Sequence, residues 1–184
     1  MRADSSHWVF GYGSLIWRPG FPFVSSGLAL LAGAHRRLCI YSHRHRGTPE
    51  QPGLVFGLVP GGSCRGVAFE VTAEHWPGVR QYLNDREMDG GVYRETLRPV
   101  RLGDGRTVMA LAFLVEVKHL QYAGRLDLLE QVRLVRAGVG ESGANPEYVL
   151  ETARHLLSLG IRDRHLTELV EALGGVDLPV VETA

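Results

Sequence analysis

Lysine is nearly absent: of the 20 basic residues in this 184-residue chain, Lys118 is the one lysine and the others are arginine. A Schiff-base mechanism is therefore disfavoured, and where a cation matters it is a planar fork suited to carboxylates rather than a titratable amine. Net charge is absent too, with 20 basic against 20 acidic residues. No global field gathers nucleic acid, anionic lipid or an acidic substrate, so a charged ligand must be captured locally. Cysteine is scarce: Cys39 and Cys64 stand alone without a C-x-x-C pattern, which speaks against a disulfide framework or a redox motif. No apolar run reaches the roughly 18 residues of a membrane span, the longest lying near Val108 to Val115. The polar start, Met1 to His7, has no apolar signal region. These absences predict a soluble, cytoplasmic protein with no membrane and no nucleic-acid partner.

What is present is the composition of one globular domain over residues 1–184: 45% hydrophobic and 22% charged residues bury a core of their own. Twenty-three glycines and nine prolines predict many turns rather than a linker. The run Trp8-Val9-Phe10 reads as a strand that breaks at Gly11-Tyr12-Gly13-Ser14. A second strand is expected over Arg37 to Ser42, and a hairpin from Leu54 to Val59 and Val67 to Val71 around Gly61-Gly62-Ser63. Val79, Tyr82 and Leu83 have helical spacing after Trp76-Pro77, and that helix should stop near Gly90-Gly91. Tyr93 to Leu102 and Thr107 to Val117 form another hairpin, its second arm apolar as a central strand would be. The C-terminal third is helical: Leu128 to Val135, a loop from Gly138 to Gly143, a helix capped by Asn145 that runs to Gly160, and a last one capped by Asp163. Strands first and helices later predict an α+β fold, a mostly antiparallel, barrel-like sheet with flanking helices.

The glycines of Gly11-Tyr12-Gly13-Ser14-Leu15-Ile16 are spaced like the start of a dinucleotide fingerprint, but Ile16 replaces the third glycine and Trp17-Arg18-Pro19-Gly20 follows in place of a helix. No phosphate-loop lysine and no G-x-S-x-G elbow is present. What remains is a strand-end turn that allows close backbone approach and whose N–H groups could cradle a carboxylate, or a plain turn. The run His43-Arg44-His45-Arg46 lacks a Cys or carboxylate to complete a metal set. A solvated strand end, or one arginine aimed at a ligand carboxylate, fits it better. Glu87 falls four residues after Leu83, at the edge of the buried stripe and beside a glycine-rich segment. There a half-buried carboxylate can act as general base and then acid, the alternative being a surface pair with Arg86 or Arg94.

The ordered set Val9 to Phe21, Ser42 with Arg46-Gly47-Thr48, Pro52-Gly53-Leu54, Arg86-Glu87-Met88 and Asn145 to Tyr148 resembles the ChaC family of γ-glutamylcyclotransferases, from about Trp8 to Leu173. The resemblance implies a mixed, barrel-like sheet with flanking helices, no cofactor, no metal and no obligate protein partner. It implies cleavage of glutathione to 5-oxoproline and Cys-Gly by attack of the substrate's own α-amine on its γ-carbonyl. By the same resemblance Glu87 is the catalytic acid–base. Tyr12, Gly13, Ser14 and Leu15 cradle the γ-glutamyl group, and Tyr93 and Tyr148 line the site. The other readings are a cyclotransferase for different γ-glutamyl peptides or amines, and a non-catalytic γ-glutamyl-binding regulator linked to cation transport.

Overall fold

The computed structural model describes residues 6–87 and 90–174. The strands are β1 (His7–Gly11), β2 (Ser25–Ser42), β3 (Gly53–Val71), β4 (Tyr93–Leu102) and β5 (Thr107–Val115), with helix α1 (Trp76–Glu87) between β3 and β4. There follow α2 (Leu128–Ala137), a two-stranded hairpin of β6 (Val139–Gly140) and β7 (Gly143–Ala144), α3 (Asn145–Ser158) and α4 (Arg164–Ala172). The five long strands close a barrel in the order β1-β3-β2-β4-β5. Pairing is antiparallel for β1 with β3, β2 with β4 and β4 with β5, and parallel for β1 with β5 and β3 with β5. The expected α+β class with a mixed, mostly antiparallel barrel is what forms.

Two expectations about the strands change. β2 starts at Ser25, not Arg37, because its first four residues are all exposed and carry no alternation to read. The glycines 61 and 62 do not make a tight hairpin turn; they lie inside the 19-residue β3 at φ +98 and +70. Strand β3 is antiparallel to β1 at Val67 to Val71 but parallel to β5 at Leu58, and β1 and β5 are parallel to each other. The chain must therefore reverse its direction between Leu58 and Val67. The left-handed glycines permit this within a bent strand, and the Gly61 carbonyl is held there by a 2.7 Å hydrogen bond to His35 Nδ1 of β2. The predicted loop at residues 138–143 is likewise ordered, as the β6-β7 hairpin.

The chain divides into two compact units. One holds residues up to Arg37 and Phe56–Tyr122, the other Leu38–Val55 and Ala123 onward. In the first, Val9, Phe10, Leu31, Leu58, Leu111 and Phe113 are fully buried, and α1 adds Val79 and Leu83 from one face. In the second, Leu38, Leu54, Val135, Val149, Leu156 and Leu169 form the interior. Asp163 caps α4 as expected, its Oδ1 accepting from Leu166 N–H at 3.1 Å.

Asn145 does not cap α3. It is the first helical residue, Ala144 holds the cap position without a side-chain bond, and the Asn145 amide turns inward with no exposed surface. Its Oδ1 accepts from Leu54 N–H at 2.6 Å and its Nδ2 donates to the Leu54 carbonyl at 2.7 Å, completing one residue of β3 as a neighbouring strand would. Gly53 and Gly138 make room: a Cβ on either would strike the Arg46 carbonyl oxygen. Asn145→Ala would leave a buried donor and acceptor of Leu54 unpaired, at about 1–3 kcal/mol each. Thermal unfolding followed by circular dichroism should then show a Tm lower by roughly 4–24 °C, and a Tm within the error of wild type would deny Leu54 any dependence on this amide.

Candidate active site

The candidate site is assembled at the C-terminal end of β1. Gly11 is where the strand ends, and a Cβ there would press on Leu15 Cβ and Phe69 Cε2, both at 3.1 Å. Tyr12 and Gly13 then lead into a single 3-10 turn, Ser14–Ile16, closed by Ile16 N–H to the Gly13 carbonyl at 3.0 Å and by Arg18 N–H to the Ser14 carbonyl at 2.8 Å. The amides of Ser14 and Leu15 precede the first bond of that turn and are not spent on it. Tyr12 and Leu15 are buried, while Ser14 is half-exposed.

Two arginines grip this turn. Arg36 of β2 donates from Nε to the Tyr12 carbonyl and from a terminal nitrogen to the Arg65 carbonyl at 2.6 Å. Arg86 of α1 reaches it from the other direction. One terminal nitrogen donates to Ser14 Oγ at 2.9 Å; the other donates to the carbonyls of Arg18 (2.7 Å) and Pro19 (3.2 Å) and to Tyr82 Oη (2.8 Å). Gly20, at φ +74, lies so close to Tyr82 Oη that a Cβ would collide with it. This fit explains the Trp17-Arg18-Pro19-Gly20 sequence: it is a turn shaped to Arg86 and Tyr82.

Glu87 is the last residue of α1, on the face that carries Val79 and Leu83. Its side chain is only 16% exposed, and its Oε1 lies 3.3 Å from Arg86 Nε. Burial pushes the Glu87 carboxyl above the usual glutamate range, and the Arg86 charge opposes that shift only in part. The helix C-terminus, where the backbone dipole is negative, disfavours the anion further. One turn earlier, Asn84 Oδ1 is buried without a hydrogen-bond partner. Met88 and Asp89, part of the glycine-rich segment, lie outside the described residues.

The expected site residues therefore separate into groups. Tyr12, Gly13, Ser14, Leu15 and Glu87 belong to one unit, and Arg86 connects the turn to the acid. Tyr93 opens β4 in the same unit, its hydroxyl donating to the Phe56 carbonyl at 2.9 Å. Tyr148 belongs to the second unit, where it is buried on α3 with the Arg46 guanidinium 5.5 Å from its ring centre. Arg46 also donates to the Ala144 carbonyl at 3.1 Å, and Arg44 pairs with Glu141 at 2.9 Å. His45 meets Ser142 Oγ at 3.0 Å, and His43 stacks on Tyr41. Among the described residues no cluster of three or more His, Cys, Asp or Glu side chains could hold a metal ion, and no helix is long and apolar enough to cross a membrane. Cys39 and Cys64 are buried, one in each unit. Motif reading named Arg86 only beside Glu87 and did not name Arg36, and it foresaw neither one's hold on the turn. An arginine adjoining the candidate acid and four residues after Tyr82 was the available signal.

Known proteins resemble this chain over most of its length. The model of the ChaC-like protein family matches residues 7–175. A glutathione-specific γ-glutamylcyclotransferase of Escherichia coli strain K12 is 36% identical over 163 residues, covering 89% of this chain and 71% of its own. One from Schizosaccharomyces pombe is 34% identical over 188 residues, covering 92% and 93%. A crystal structure of a γ-glutamyl cyclotransferase specific to glutathione from yeast superposes with a TM-score of 0.85 at 26% identity, over 93% of this chain and 96% of that one.

A carboxyl held above its ordinary value favours the fold in its protonated form. That stabilisation is complete below the unfolded-state value of about 4.3 and is lost as pH rises through the higher native value. Glu87→Gln, neutral throughout, is expected to equal wild type in Tm at about pH 4 and to exceed it by a growing margin toward about pH 8. A variant that instead falls further below wild type as pH rises would mean that pairing with Arg86 outweighs the cost of burial.

Proposed function

The chain belongs to the ChaC-like protein family, and we propose that it is a γ-glutamylcyclotransferase that cleaves glutathione to 5-oxoproline and Cys-Gly, with Glu87 as general base and then acid. The observation that carries the reading is a mostly buried carboxylate joined through one guanidinium to a glycine turn. The relatives' stated specificity for glutathione supports the choice of substrate. The family match runs through both units, which supports a single catalytic domain over residues 1–184. The scarcity of cysteine, two in 184 residues, agrees with a cytoplasmic setting.

The reaction is intramolecular. The α-amino nitrogen of the γ-glutamyl group attacks the γ-carbonyl carbon, closing a five-membered lactam, and the bond from that carbon to the cysteine nitrogen breaks. Holding amine and carbonyl in a near-attack pose is worth up to about 7–11 kcal/mol, and the Tyr12–Leu15 turn has that task. The resting ammonium cannot attack. Glu87 takes one of its protons and returns a proton to the departing amide nitrogen, so that Cys-Gly leaves as an amine. Main-chain amides of residues 13–15 supply donors to the carbonyl oxygen as charge gathers on it. Tyr93 and Tyr148 keep the substrate-binding roles that the resemblance assigns.

Purified protein incubated with reduced glutathione in the presence of a chelator should give 5-oxoproline and Cys-Gly in equal amounts by mass spectrometry. Glu87→Gln should lose about 10²–10⁴-fold in kcat while still binding glutathione by calorimetry. The acid limb of the rate profile should lie above the ordinary glutamate range, because the base must be ionised and burial raises its pKa. Intact glutathione with turnover of γ-Glu-Ala would move the specificity to other γ-glutamyl compounds, and binding without turnover of either would leave a binding module.

A further inference from the structure

We propose that Arg86 is a positioning residue for this reaction: by bridging the Ser14 hydroxyl, the Arg18 and Pro19 carbonyls and Glu87, it sets the distance from the acid to the glycine turn. The proposal rests on the reading of Glu87 as the base. Every arm of the guanidinium is engaged. One terminal nitrogen is on Ser14 Oγ, the other is shared among two main-chain carbonyls and Tyr82 Oη, and Nε faces Glu87 Oε1 at 3.3 Å. The Tyr82 ring lies beneath the guanidinium, 5.9 Å from Cζ to its centre. Arg86 is 20% exposed, and its donors are directed at protein acceptors.

Nothing else among the described residues could do this. Among the described residues, Arg86 is the charged group that acts on the Glu87 carboxyl. Ser14 and Tyr82, which face Arg86 from the turn and from α1, are uncharged. α1 is described as far as Glu87, and glycines 90 and 91 have φ +83 and +72, outside helical geometry. Arg86 and Glu87 are neighbours in the chain, and holding the first on four acceptors, Ser14 Oγ, the Arg18 and Pro19 carbonyls and Tyr82 Oη, restrains the second. A lysine would supply the charge but a single nitrogen, too short and too compact to span the same groups.

The test separates charge from geometry. Arg86→Lys and Arg86→Gln are compared with wild type by glutathione kinetics across pH and by NMR titration of the Glu87 carboxyl carbon, assigned with Glu87→Gln. Both variants are expected to lose about 10²-fold in kcat, the scale of a 1 Å misplacement, with KM little changed. Arg86→Lys should keep the acid limb near that of wild type, whereas in Arg86→Gln the limb and the NMR titration move to higher pH. Wild-type kcat in either variant overturns the proposal. So does a raised KM at constant kcat, which would put Arg86 on the substrate, or an unmoved Glu87 titration in Arg86→Gln. If wild type does not turn over glutathione, the base assignment fails on its own account, and the titration still decides whether Arg86 governs Glu87. If the arginine variants do not fold, Tyr82→Phe removes one acceptor from the guanidinium. A kcat loss of about 10-fold then supports the proposal and an unchanged kcat overturns it.

Discussion

β1 is gripped along both edges, antiparallel to β3 through all five of its residues and parallel to β5 at Trp8 and Val9. A strand paired on both sides cannot slip register without turning its core residues outward, so the position and direction of its last residue are fixed by the barrel. Gly11 is that residue. The β3 backbone comes so close at Gly66 that a Cβ there would meet the Gly11 carbonyl oxygen, and the Tyr12–Leu15 turn leaves from this point with its first carbonyl tied by Arg36. The reversal of β3 at glycines 61 and 62 serves the same end. It lets one strand be antiparallel to β1 at Val67 to Val71 and parallel to β5 at Leu58.

Against that rigid end the barrel sets a carboxylate under tension between two environments. Burial on the Val79 and Leu83 face and the helix C-terminus favour neutral Glu87, and the Arg86 charge favours the anion. The balance is useful for proton transfer in both directions. A fully paired surface glutamate would be too weak a base to draw a proton from an ammonium, and a carboxyl buried with no cation near it would hold its proton and never act.

Much of this was legible in the sequence where the signal is local. Phe10-Gly11-Tyr12-Gly13 marks a strand end because alternation stops at glycines. The spacing of Val79 and Leu83 places Glu87 at the edge of a buried stripe, and Asp163 reads as a cap because it can be nothing else ahead of Leu166 and Leu169. What failed to read out depends on distant partners. Gly61-Gly62 looks the same whether it turns a hairpin or bends a long strand, and only the pairing with β1 and β5 decides. Asn145 ahead of Pro146 has the form of a cap, but the backbone of Leu54, 91 positions away, makes a better offer to its amide. Arg86 looked like half of a surface ion pair, because its other acceptors are main-chain carbonyls, which leave no mark in a sequence.

The near-absence of lysine acquires a reason from the same contacts. An intramolecular cyclisation asks the protein for no nucleophile; the substrate carries its own. In the proposed reaction the protein contributes distance: amine to carbonyl, carboxylate to amine, amide donors to the oxygen. Distances are held by groups that bind several acceptors at once, and the guanidinium is the one cationic side chain that does so in a fixed plane. Arg36 spans the Tyr12 and Arg65 carbonyls, Arg86 spans Ser14, Arg18, Pro19 and Tyr82, and in the second unit Arg46 reaches the Ala144 carbonyl while lying over Tyr148. Each ties loop backbone to a regular element, where an ammonium would tie one point and rotate about it. At Arg86 the two contributions combine: the fork holds the turn while its charge opposes the effect of burial on Glu87.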